Sequence, residues 1–300
     1  MKLFTIAVLG LSLFGCKKTH TTPTDYQETA KTKFITANGV NYAYRELGDN
    51  TGTPVLMVSP LGSNMDDWDP AITNALARQY KVILFDLPGE GASGGSTPDN
   101  IADMASSVTA FVHALGLPKV NLLGFSLGSF ISQQIALTTP GIVNKMILTG
   151  TGPKGAVGLS NFPALLAAGA NLSAAENFLK FGFTTSDESV AKGKAAWSRI
   201  QQRVQDRDAP VSQASAAAQV TAVLGWAQAY AKAAEELNSI TQPVLIVQGK
   251  EDVPVPVGNA EFMAEHIPNA QLIVYPDAAH AALFQYPAEF VQSVITFIEQ

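Results

Sequence analysis

The stretch VNLLGFSLGSFISQQIAL, residues 120–137, changes its period in the middle. Val120 to Phe125 is a nearly continuous apolar run, whereas Ser129 to Leu137 spaces its apolar residues for a helix. Between them stands Gly124-Phe125-Ser126-Leu127-Gly128, a G-x-S-x-G turn. A serine on such a strand-to-helix turn sits on strained backbone. The flanking glycines remove side chains that would collide with neighbouring chain. With the Gly and Ser frequencies of this chain, chance alone supplies about 0.1 such matches. The flanking pattern therefore carries the reading, and it makes Ser126 a candidate nucleophile.

Working outward, further short apolar runs occur at Pro54–Val58, Val82–Phe85, Lys145–Leu148, Val244–Val247 and Gln271–Tyr275. Strands apolar on both faces belong in a parallel sheet covered by helices. Segments of helical spacing lie between them, with Ile101, Met104, Val108, Val112 and Leu115 on one stripe and Phe290, Val294 and Phe297 on another. This alternation predicts an α/β fold with a doubly wound, mostly parallel sheet. Alternating apolar residues around Asn38-Gly39 predict an opening β-hairpin from Phe34 to Leu47. From 154 to 238 the chain is rich in Ala, Gln and Ser and carries no strand-like run. It reads as helices at Phe162–Ala170, Ala174–Phe181, Ser189–Val204 and Ser212–Leu237, too long an insertion for a loop. The core is thus expected at 34–153 and 239–300, with 154–238 as a helical cap.

A serine hydroxyl needs a base to take its proton, and the base needs an orienting acid. Of four histidines, His20 precedes the globular part, and His113 and His266 fall in helical segments. His280 follows the run Gln271–Tyr275 in a loop of small residues, past a strand's C-terminal end, where catalytic groups gather. It is the candidate base. The candidate acid is Asp252, in the loop after Val244–Val247, with Glu251 as the neighbouring alternative. Asp277 is too close in sequence to His280, and Asp86 reads as a structural turn residue. Two backbone N–H groups are needed to hold the oxyanion. Leu127 supplies one, and Leu61, in the loop after Pro54–Val58, the other, since Pro60 has no N–H.

With these residues the sequence resembles the α/β-hydrolase family, and most its branch of cap-bearing esterases and cofactor-free haloperoxidase-like proteins. The resemblance runs roughly from Phe34 to Gln300. It is carried by Phe85 to Gly91, the Ser126 turn, Thr149 to Pro153, Gly249 to Pro256 and His280 to Pro287. It implies the order Ser126, Asp252, His280, with Leu61 and Leu127 at the oxyanion, and no metal or organic cofactor. Two departures stand out: many relatives have His-Gly where this chain has Ser59-Pro60, and His or Ile is frequent at the position of Glu90.

Composition bounds the partners. With 300 residues, 47% hydrophobic and 15% charged, the chain can bury a large core. Its net charge of -6, without a basic run, argues against nucleic acid. Met1-Lys2 precedes an apolar run to Gly15 that is too short to span a bilayer and reads as a signal peptide, residues 1–15. Leu13-Phe14-Gly15-Cys16 resembles a bacterial lipobox, which implies a lipid on Cys16 and export to a membrane-anchored position in a bacterial cell envelope. Residues 16–33 are polar and read as a flexible tether. Cys16 is the only cysteine, so no internal disulfide exists.

The expected activity is hydrolysis of a carboxylic ester or related small acyl substrate through an acyl-enzyme. Carbon–carbon bond hydrolysis and peracid formation use the same residues. A catalytically silent binding protein on the same fold is the non-enzyme alternative. Phe162, Phe181 and Trp226 of the cap are candidate acyl-pocket residues.

Overall fold

The computed structural model describes residues 24–300. The signal peptide, Cys16 and His20 lie outside the described residues. In chain order the elements are α1 (Tyr26–Thr29), β1 (Lys33–Ala37), β2 (Val40–Leu47), β3 (Val55–Val58), α2 (Pro70–Ala77), β4 (Val82–Phe85), α3 (Ile101–Ala114), β5 (Val120–Phe125), α4 (Leu127–Thr138) and β6 (Val143–Thr149). Then come α5 (Phe162–Gly169), α6 (Ala174–Gly182), α7 (Asp187–Ile200), α8 (Gln213–Trp226), α9 (Ala233–Asn238), β7 (Val244–Gly249), α10 (Gly258–His266), β8 (Ala270–Tyr275), α11 (Ala282–Gln285) and α12 (Pro287–Glu299).

The strands form one sheet in the order β1-β2-β4-β3-β5-β6-β7-β8. The β1–β2 and β2–β4 pairings are antiparallel and every other pairing is parallel. Each of the six runs read as buried strands lies in the sheet. Every residue of β3, β4 and β5 is buried because helices cover both faces. The pleat sorts neighbours to opposite sides. Leu56 and Val58 join α3 and α4 in one apolar cluster, while Val55 and Met57 join α2 and α12 in the other. The opening hairpin turns on Asn38 at φ 47° and Gly39 at φ 80°, the two positive angles a type I′ turn needs.

Two expectations are corrected. The globular part takes in residues before Phe34, because α1 docks on the core. Asp25 caps it by accepting from the Glu28 N–H, the Gln27 N–H donates to Asn74 Oδ1, and Arg203 donates to the Gln27 and Glu28 carbonyls. These polar contacts join the packing of Tyr26 and Ala30 against the core in anchoring a largely polar segment. The helix expected over Ser212–Leu237 is two helices, α8 and α9, since the Trp226 carbonyl is taken by the Gly155 N–H instead of continuing the helix.

Candidate active site

The strand β5 delivers Ser126 to the sheet's C-terminal edge with φ 52° and ψ -116°, backbone that a non-glycine residue adopts only where its surroundings hold it. The Ser126 N–H donates to the Thr149 carbonyl at 2.9 Å. Behind the turn, Ser129 Oγ donates to the Ser126 carbonyl and Gln133 Nε2 reaches the Ser129 and Gly152 carbonyls. The two glycines of the motif are required by close approach. A Cβ on Gly128 would lie 1.9 Å from the Val58 carbonyl oxygen, and one on Gly124 would lie 2.4 Å from the Gly128 oxygen. Helix α4 therefore starts hard against β3, with Ser126 at its head.

Asp252 and His280 follow β7 and β8, neighbouring strands on the same side of β5. The two loops are stitched together by the Lys250 N–H to the Tyr275 carbonyl and the Glu251 N–H to the Ala278 carbonyl, each at 2.9 Å. His280 Nδ1 lies 2.8 Å from Asp252 Oδ2, with the carboxylate fully buried and the imidazole 13% exposed. An ionised carboxylate only accepts, so this contact places the ring proton on Nδ1 and leaves Nε2 as the free basic nitrogen. The ring packs at 5.1 Å from Phe125, the residue before Ser126. Asp252 Oδ1 accepts from the Val255 N–H, and its Oδ2 also accepts from Gln248 Nε2 at 2.7 Å. Gln248, buried at the end of β7, accepts in turn from the Thr151 N–H. Its one sequence signal is a polar residue closing an apolar strand.

The alternatives for the acid lie elsewhere. Glu251 is exposed. Asp277 accepts from the Thr184 and Ser186 hydroxyls of the cap, which hold its carboxyl below the usual range. Asp86 is buried and accepts from the Met65 and Ala92 N–H groups, the structural role read for it. His113 is exposed on α3, and His266 bonds the Phe262 carbonyl within α10.

In the loop after β3, the Ser63 N–H closes a turn on the Pro60 carbonyl, and the Gly62 N–H donates to Gln219 Oε1 of α8 at 2.8 Å. Among the described residues, the Leu61 and Leu127 amides have no acceptor within the protein. Leu127 is the first residue of α4, where helical geometry offers no internal partner and the helix dipole favours negative charge.

The three candidate pocket aromatics, Phe162, Phe181 and Trp226, make separate contacts. Trp226 is 4% exposed, stacks on Phe130 at 5.5 Å and donates from Nε1 to the Gly152 carbonyl, so it is packing between α8 and α4. Phe162 leans on the core cluster, and Phe181 lies against Gly169 of α5.

The family model described as alpha/beta hydrolase fold matches residues 53–287. An alpha/beta hydrolase fold protein from Chitinophaga pinensis is similar at TM-score 0.88 and 38% identity, over 91% of this chain and 99% of that one. A pimeloyl-[acyl-carrier protein] methyl ester esterase of Nitrosomonas europaea is 28% identical over 80% of this chain and 93% of its own length. A protein named as a carbamate hydrolase from Agrobacterium fabrum is 28% identical over 83% of this chain and 94% of its own.

Proposed function

The chain belongs to the α/β-hydrolase fold family, and from that premise we propose that it is a serine hydrolase cleaving a carboxylic ester or related acyl substrate. Ser126 Oγ attacks the carbonyl while His280 Nε2 takes the hydroxyl proton, and Asp252 holds the imidazole and stabilises its cation. The N–H groups of Leu61 and Leu127 receive the oxyanion. Collapse breaks the bond to the leaving oxygen, to which His280 returns the proton. Water, deprotonated by His280, then releases the acid from Ser126.

The observation that supports this reading most is the 2.8 Å bond between Asp252 and His280, in two loops on one side of the strained turn at Ser126. The names of the relatives, a methyl ester esterase and a carbamate hydrolase, point to attack on an activated carbonyl. The purified protein is expected to be labelled by a fluorophosphonate probe and to hydrolyse p-nitrophenyl esters, with Ser126→Ala losing both. An unlabelled wild type, or equal labelling of Ser126→Ala, sinks the proposal.

The same proposal includes attachment to a membrane through a lipid on Cys16. No helix among the described residues is long and apolar enough to cross a membrane. Cell fractionation of Cys16→Ser checks this, since the variant should leave the membrane fraction that holds the wild type.

A further inference from the structure

We propose that Glu90 is a positioning residue, which through Gln219 fixes the Leu61–Gly62 peptide beside the oxyanion donor. The inference rests on the hydrolase reading above for its effect on turnover. Its geometry stands independently of it.

Glu90 follows β4, is 2% exposed, and its Oε1 accepts from Gln219 Nε2 at 2.6 Å. Gln219 is fully buried on α8, and its Oε1 accepts from the Gly62 N–H at 2.8 Å. One cap side chain thus bridges two core loops. The chemistry allows a single orientation of that amide. The Gly62 N–H can only donate, so Gln219 must present its oxygen there and its NH₂ group on the other side. Glu90 must then accept. Were the acid replaced by a group without an acceptor, the buried NH₂ would be orphaned and the amide would lose the contact that keeps it from turning over.

The position of Gly62 explains why this matters. Pro60 to Ser63 form a turn closed by the Ser63 N–H, with Gly62 third at φ 77° and Leu61 at ordinary negative φ. That combination is a type II turn, which differs from type I by a flip of the central peptide. Glycine tolerates both. The Gly62 N–H belongs to that central peptide, so the Gln219 bond selects the flip. Without it the peptide dipole next to the Leu61 N–H is free to reverse.

Burial pushes the Glu90 carboxyl up to about 8, so the neutral acid predominates in the bridge at neutral pH. Asp86, in the same loop, is also raised well above its ordinary range by burial and by Asp208. A second tie, from Ser215 Oγ to the Gly89 carbonyl at 2.9 Å, holds α8 on the same loop.

The test compares Glu90→Gln, which keeps an acceptor oxygen, with Glu90→Leu and Gln219→Leu, which do not. With a p-nitrophenyl ester, kcat is expected to fall about ten-fold in the two Leu variants, with KM within two-fold, because an oxyanion donor is disturbed rather than removed. Glu90→Gln is expected to recover most of the loss. Glycine-labelled NMR supplies a readout without turnover: Gly62 amide exchange should be slow in wild type and Glu90→Gln and fast in both Leu variants. A fast Gly62 amide in wild type, an unchanged kcat in Gln219→Leu, or equal losses in Glu90→Gln and Glu90→Leu would overturn the proposal. If the wild type neither reacts with fluorophosphonate nor turns over ester while Gly62 behaves as expected, the hydrolase reading fails and the bridge stands as a structural lock only.

Discussion

The two halves of the cap meet the core through different physics. The inner half, from the end of α7 through α8, is fastened by charge and hydrogen bonds. Arg199 forms a bidentate pair with Asp69, at 2.8 and 2.6 Å, and Arg207 pairs with Asp67. Arg45 of β2 holds Asp66 and reaches Asp208 and the Asp206 carbonyl of the cap, with its own side chain fully buried. Burial and the facing Asp66 push Asp208 up to about 6, a sign of how crowded with carboxylates this joint is. The outer half, α5 and α6, closes most of its polar contacts on itself, apart from the Gly182 carbonyl, which accepts from the Ala281 N–H of the core at 2.9 Å. Asn177 donates to the Gly169 and Leu172 carbonyls and Lys180 to the Ala168 carbonyl. It is held to the rest chiefly by Phe178, which sits 5.3 Å from Trp197 and 6.0 Å from Phe284. The inner half is built to keep core loops in register, and the outer half has the local stability from which moving elements are drawn.

The sharpest way to break this contrast is Arg45→Ala. It leaves Asp66 and Asp208 buried with one partner fewer, and a loss of roughly 3–5 kcal/mol is expected in urea unfolding. A loss below about 1 kcal/mol would mean that the inner half is not held by its charges. Phe178→Ala should act more locally, at about 1–2 kcal/mol for a half-buried aromatic. Limited proteolysis should then cut within residues 162–182 while 199–226 stays protected. Cleavage that begins near Asp208 would reverse the assignment of tight and loose halves. Smallest of all is Leu166→Ser on the exposed face of α5, which should shift the melting temperature by no more than about 0.5 kcal/mol allows.

The same contrast marks what the sequence makes legible. The sheet is readable because its central strands are apolar on both faces, and the candidates Ser126, Asp252 and His280 are placed by lying just past the ends of three strand-like runs. The outer cap helices are readable from spacing alone, down to α5 and α6. The inner cap is not, because its partners are far apart in the chain: Arg45 meets Asp66 and Asp208 across 21 and 163 residues, and Gln219 meets Gly62 across 157. A lone Gln in an Ala-rich helix, or an Arg in an alternating hairpin strand, carries no local mark of such a partner. Trp226 shows the converse, since an aromatic on a cap helix gives no hint in the sequence that it will stack on Phe130 of α4.

The backbone at Ser126 has one more consequence. The folded chain holds this residue at a φ that glycine accepts readily and serine resists. Glycine at 126 would therefore relax the backbone while removing the hydroxyl that the proposed reaction needs. The side chain at 126 is thus held at a cost in stability, written in a single dihedral angle.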